Sequence, residues 1–267
     1  VADMDLYPVP FEHALAVVRS DRTLYVQGDE SVVYPLASVT KVIASRAILV
    51  AIDQHLMNLD DPLGPTGSTV RHLLAHASGI AADSREALVP PETERIYSNA
   101  GFDILGEATS EATGEELSRW IELSVLEPLG MTTADAPGSP AYSAVGSAAD
   151  LIALAQELLA PTLISEDLDQ QSVSVQFPDL DGFVPGYRKH RPCPWGLGVE
   201  IRGHKSPHWT SQHADPATFG HFGVSGSFIW VDRGRDLAAV FVGTEKFGSW
   251  HKKNWCLLND QILERFA

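Results

Sequence analysis

Residues 34–49 read YPLASVTKVIASRAIL, and they set Ser38 and Lys41 three positions apart at the head of an apolar run. In a helix, residues at that spacing share a face, so the hydroxyl and the amine stand close enough to exchange a proton. That geometry suits nucleophilic catalysis. The same spacing recurs at Ser249 and Lys252 in SWHK, so the pattern taken alone does not choose between two places. Pro35 interrupts what comes before. The following residues predict a helix from about Ser38 to Met57, apolar on nearly every side and therefore buried, with Ser38 as its N-cap or first-turn residue.

Upstream, HALAVVRS (13–20) and TLYVQGDE (23–30) are rich in apolar and β-branched residues and flank the turn-forming Asp21-Arg22. They read as two strands. Downstream the signals turn helical. TVRHLLAHASGI (69–80) predicts a short helix ending at Gly79, and two more follow in NAGFDILGEATSEATG and GEELSRWIELSVLEPLG, each stopped by glycine or proline. SAADLIALAQELLA (147–160) predicts a fourth. Strand character returns at WGLGVEIR (195–202). HFGVSGSFIWVDRGRDLAAVFVGTE (221–245) predicts two strands joined at Asp232–Arg235, and a closing helix runs from about 250 to 266. Strands at both ends with helices between imply an α+β fold. Its antiparallel sheet is built from both chain ends and flanked by helices. The expected division is a discontinuous sheet region, 1–60 and 186–267, around a mainly helical region, 61–185.

Composition limits the partners. The chain has 267 residues, 44% of them apolar, and a net charge of −16. Such acidity argues against nucleic acid or an anionic membrane as partner. The longest basic cluster, Arg188-Lys189-His190-Arg191, is short, is followed by proline, and reads as a loop. The most apolar run, Val39 to Ile52, is broken by Lys41 and Arg46, so no membrane span is expected. The start, VADMDLYPVP, carries no visible export leader, which makes cytoplasm the default unless a leader was removed. Cys193 and Cys256 leave a single disulfide open, and oligomeric state has no signature.

Order along the chain is the stronger signal. Ser38-x-x-Lys41 is followed by Tyr97-Ser98-Asn99 and then by His221-Phe222-Gly223 at the head of a strand. With PLASVTKV, LDDPLG, VRHLLAHASGI, YSNAGFDILGEA, EPLGM, WGLGVEI and GHFGVSGSFIWVD, these resemble segments of the serine β-lactamase and penicillin-binding protein family, in its order. The likeness is to the branch of class C β-lactamases, D-alanyl-D-alanine carboxypeptidases and related esterases. It spans roughly residues 34–245 and implies the β-lactamase/transpeptidase-like fold. It also sets Ser249 aside as a surface residue, since no tyrosine-x-asparagine lies downstream.

The resemblance implies a serine hydrolase that works through an acyl-enzyme on an ester, amide or β-lactam carbonyl and requires no cofactor or metal. Ser38 is the implied nucleophile, its backbone N–H one half of an oxyanion hole. Lys41 is the implied base. An ordinary lysine, with a pKa of about 10.4, cannot serve at neutral pH, so burial and neighbouring positive charge must lower it. Tyr97 relays protons, and Asn99 bonds a substrate amide or orients Lys41. His221 heads a strand edge that would pair with the substrate backbone. Gly223 would let the substrate approach closely, and Val224 would supply the second oxyanion N–H. Phe222 departs from the family pattern, which has threonine or serine there. An apolar wall in place of a hydroxyl favours a less polar acyl substrate.

Other readings compete. His72 and His76 have the i, i+4 spacing of a zinc pair, but Leu73 stands where a zinc protease needs glutamate. His204, His208 and His213 read as a solvated loop, with Trp209 bordering the cleft. An α/β-hydrolase is excluded because no G-x-S-x-G occurs; Gly223-Val224-Ser225-Gly226-Ser227 comes nearest. The remaining alternative is a non-catalytic member of the same fold that binds peptidoglycan fragments or peptides.

Overall fold

The computed structural model describes residues 5–267. The ends of the chain meet in one antiparallel sheet. β1 (His13–Val18) pairs on one side with β2 (Thr23–Gly28) and on the other with β10 (Leu237–Gly243), Leu15 lying opposite Phe241. The full order is β2-β1-β10-β9-β8-β7, with β7 at Glu200–Ile201, β8 at Phe219–Gly223 and β9 at Ser227–Asp232.

Alternation along these strands supplies two cores, because successive side chains point to opposite faces. Ala14, Ala16 and Val18 of β1 join the larger core, whereas Leu15 and Val17 join the aromatic one. The larger core is filled by α1 (Thr40–Asp53), thirteen of whose fourteen residues are buried, and by α6 (Ala148–Leu159). The aromatic core is closed by α8 (Ser249–Phe266) through Trp255, Leu258 and Ile262. A bond from Trp230 Nε1–H to Asn259 Oδ1 at 2.9 Å ties α8 to β9. Coverage on both faces explains why β9 and β10 are buried along their whole length.

The helical part comprises α2 (Val70–Leu74), α3 (Asn99–Thr113) and α4 (Leu117–Ile121), the last running through a π turn at Glu122–Leu126 into α5 (Glu127–Leu129). Trp120 of α4 donates from Nε1 to the Ala47 carbonyl of α1 at 2.9 Å. α7 (Glu166–Ser172) places Asp169 between the buried Arg46 and the half-buried Arg233.

Several boundaries differ from the sequence reading. α1 starts at Thr40 rather than Ser38, because Ala37–Val39 forms a separate 3₁₀ turn. The strand expected over 195–202 contracts to β7, two residues long. Lys189–His190 is not loop but β6, paired with β5 (Gly182–Phe183). A further short ladder joins β3 (Val33–Pro35) to β4 (Val145–Ser147). Such two- and three-residue strands carry too few side chains for any alternation to register. Among the described residues no helix is long and apolar enough to cross a membrane.

Candidate active site

The β3–β4 ladder delivers Ser38. Past its end the Leu36 N–H donates to the Ala144 carbonyl at 2.9 Å, and the chain turns through the 3₁₀ turn. Ala37 enters that turn at φ 45°, a left-handed conformation costly for a residue with a Cβ. Strand β8 lies directly behind. A Cβ at Gly223 would run into the Leu36 carbonyl and come within 3.1 Å of the Ser38 nitrogen. Gly223 therefore admits the chain's own backbone, where the sequence suggested room for substrate. The result is a half-buried Ser38 facing the cleft, as part of the turn rather than as a helix cap.

One turn of backbone further on, Lys41 is fully buried. Its Nζ donates to Asn99 Oδ1 at 2.7 Å and to the Ala141 carbonyl at 2.9 Å. The same atom lies 2.6 Å from Tyr97 Oη and 3.3 Å from Ser38 Oγ. Two partners are thus pure acceptors, which suits a neutral amine: two N–H groups engaged and a lone pair left for the hydroxyls. Burial lowers this lysine to about 7, against the opposing pull of Asp103 and Asp83. The expected neighbouring positive charge contributes nothing here. Desolvation does it alone.

Tyr97 and Asn99 arrive together because Ser98 caps α3, accepting from the Gly101 N–H at 2.9 Å. Ser98 itself is extended, so Tyr97 lies just outside the helix and Asn99 opens its first turn. Tyr97 Oη stands 2.7 Å from Ser38 Oγ. Burial pushes its phenol well above the ordinary range, so it remains protonated and can only pass protons on. His76 packs against it at 4.6 Å, its Nδ1 accepting from the Ser98 N–H. Asn99 Nδ2 donates to Asp83 Oδ1 at 2.9 Å.

β8 contributes the far wall. Its outer edge is paired only at Phe219 and Gly220, which leaves His221–Gly223 without a neighbouring strand on the β7 side. His221 Nδ1–H donates to the Phe222 carbonyl at 2.7 Å, and burial, helped by Lys41, lowers the ring to about 4. Val224 is exposed, and no acceptor among the described residues takes its N–H or that of Ser38. Phe222 is only partly the wall it promised to be. Its ring is buried 4.7 Å from Phe247 and within about 6 Å of Trp209 and Tyr187, deep in the aromatic core.

Ser38, Tyr97, Asn99, His221, Phe222 and Val224 line a cavity of about 350 Å³ together with Asp83, Tyr142, Val184, Trp195 and Glu200, with Lys41 buried behind Ser38 and Tyr97. The sequence reading missed Glu200, the centre of a buried ion cluster. Its carboxylate accepts from Lys205 Nζ at 2.7 Å, His208 Nε2 at 2.8 Å and Trp209 Nε1 at 2.8 Å. Burial alone would raise its pKa, but Lys205 and His208 outweigh that and hold it well below the usual carboxylate range. The detectable signal was one acid inside the apolar strand WGLGVEIR.

Compared with protein families, the chain matches Beta-lactamase over residues 13–255. It belongs to the beta-lactamase family. A beta-lactamase structure from Mycobacterium bovis superposes with a TM-score of 0.95 at 46% identity, covering 97% of this chain and 96% of that one. The D-alanyl-D-alanine-carboxypeptidase/endopeptidase AmpH of Escherichia coli is 27% identical over 39% of this chain and 37% of the relative. The match thus spans about a third of that curated protein. EstCE1, a hydrolase with promiscuous acyltransferase activity, shares the fold at a TM-score of 0.77 and 15% identity, over 94% of this chain and 93% of its own. The family is one of serine hydrolases, and the α+β fold with its antiparallel sheet is the family's own.

Within this beta-lactamase fold the other histidines take structural places. His72 caps α2 through Thr69 and bonds Glu92 at 2.8 Å. The loop holding His208 is not solvated at that point: His208, Trp209 and Lys205 are buried, while His204 and His213 are exposed. No group of three or more His, Cys, Asp or Glu among the described residues could hold a metal ion. Cys193 and Cys256 are both free thiols. Ser249 is exposed at the head of α8.

Proposed function

We propose that this beta-lactamase family member hydrolyses a carboxylic acyl substrate through an acyl-enzyme on Ser38. The observation that carries the reading is the continuous chain Ser38 Oγ–Tyr97 Oη–Lys41 Nζ, with separations of 2.7 and 2.6 Å. Ser38 Oγ attacks the carbonyl carbon as its proton passes to Tyr97 Oη, and the phenolic proton moves on to Lys41 Nζ. The oxyanion so formed accepts from the Ser38 and Val224 N–H groups. Collapse breaks the bond to the leaving group, which takes the proton back from Lys41 through Tyr97. Water then enters by the same route and releases the acid, regenerating Ser38. A phenol that stays protonated between the two cannot store charge, so the buried amine takes up the proton at each step.

Intact-protein mass spectrometry after separate incubation with a penicillin and an ester-directed phosphonate tests this. An adduct on Ser38 that disappears in Ser38→Ala is the expected result. Absence of labelling by either reagent would leave only a binding member of the fold.

A further inference from the structure

We infer that the cleft selects an uncharged or amine-bearing ester and repels acyl donors that carry a carboxylate. This rests on the acyl-enzyme reading of Ser38. Three features of the cavity support it independently.

First, no lysine or arginine among the described residues lines the cavity, Lys41 being buried behind Ser38, whereas two acids, Asp83 and Glu200, do. Glu200 is neutralised by Lys205. Asp83 is not: it enters none of the ion pairs among the described residues. Its Oδ1 accepts from Asn99, and its Oδ2 stays open at the exposed mouth. The net charge of −16 adds to the same field.

Second, His221 brings neither charge nor a free donor. A carbonyl can only accept, so Nδ1 carries the proton given to Phe222. Nε2 is a buried lone pair without a partner among the described residues, on a ring that lines the cavity. A carboxylate offers acceptors only and finds no donor on this ring. The lowered basicity of this ring agrees with the geometry.

Third, Phe222 has no hydroxyl to offer an anion, and its ring is committed to the aromatic core. The Nε1–H of Trp195 is uncharged and buried out of reach, so it does not compensate a substrate carboxylate either. The acceptor-rich, negatively charged mouth thus points to the acyl donor's charge as the selected property.

The test uses three 4-nitrophenyl esters of matched length: 6-aminohexanoate (cationic), 6-acetamidohexanoate (neutral) and adipate monoester (anionic). At low salt kcat/KM is expected to favour the cationic and neutral esters over the anionic one by about tenfold or more. The gap between cationic and anionic esters narrows in 0.5 M NaCl (roughly, a Debye length of a few Å). Asp83→Asn, at an exposed position where the amide oxygen still accepts from Asn99, shrinks that ratio several-fold. An anionic ester cleaved as fast as the cationic one at low salt, or a ratio untouched by both salt and Asp83→Asn, overturns the inference while leaving the acyl-enzyme reading intact. Turnover of the neutral ester that survives Ser38→Ala overturns both.

Discussion

The phenol of Tyr97 stands 2.7 Å from Ser38 Oγ, nearer than the Lys41 amine at 3.3 Å. The amine in turn lies 2.6 Å from that phenol. The shortest path for the serine proton therefore runs through Tyr97, although Ser38 and Lys41 are the pair only three residues apart in sequence.

Removing the relay isolates it. Tyr97→Phe keeps the ring against His76 and deletes only the hydroxyl. Steady-state ester hydrolysis should show kcat reduced by about 10²–10⁴ with KM little changed. A mutant within threefold of wild type would show that Lys41 takes the proton directly.

The base sets the pH profile. Below about 7 Lys41 is charged and donates toward Tyr97, so the relay runs backwards; above it the lone pair is available. kcat/KM should rise with pH through an acidic limb near 7. Asp103 is the larger of the two acids that raise this lysine, so Asp103→Asn moves the limb to lower pH. A limb that stays fixed, or moves up, contradicts the assignment of Lys41 as the titrating group.

Position 222 tests packing against chemistry. The buried Phe222 ring sits among Phe247, Trp209, Tyr187 and Trp255. Phe222→Thr leaves a cavity there and should cost about 3 kcal/mol, lowering Tm by roughly 5–10 °C. Thermal unfolding by circular dichroism measures it. An unchanged Tm would mean that the aromatic core closes over the gap.

The ion cluster behind the cleft tests stability by charge. Lys205→Met strips Glu200 of its buried partner and should destabilise the protein by about 3–5 kcal/mol near neutral pH. Because Glu200 is held below the ordinary carboxylate range, the pair's contribution is present above the unfolded-state pKa and fades as pH falls toward the folded value. The wild-type and mutant denaturation midpoints should therefore converge in acid. Parallel curves at every pH would assign the loss to packing instead.

Much of the molecule was legible because it is written in short-range patterns. HALAVV and LAAVFVG announce strands, NAGFDILGEATSEATG announces a helix, and the Ser38–Lys41 spacing announces that hydroxyl and amine meet, although Ser38 stands in the 3₁₀ turn before α1. The order of these segments also carried the family likeness, which the match over residues 13–255 bears out. The two-residue strands β5 and β6 left no such mark, and the buried His208 looked like part of a solvated loop.

What the sequence determined by itself was which residue types stand at the Ser38 turn, the α3 cap and the β8 strand. What only the tertiary structure decided was their charge and their neighbours. Lys41 is lowered to about 7 because its amine is buried, and Glu200 is held below the usual carboxylate range because Lys205 and His208 fold back onto it. Local spacing sets which way a side chain points, but a proton's affinity depends on all the water and charge around it, and those are assembled from segments far apart in the chain.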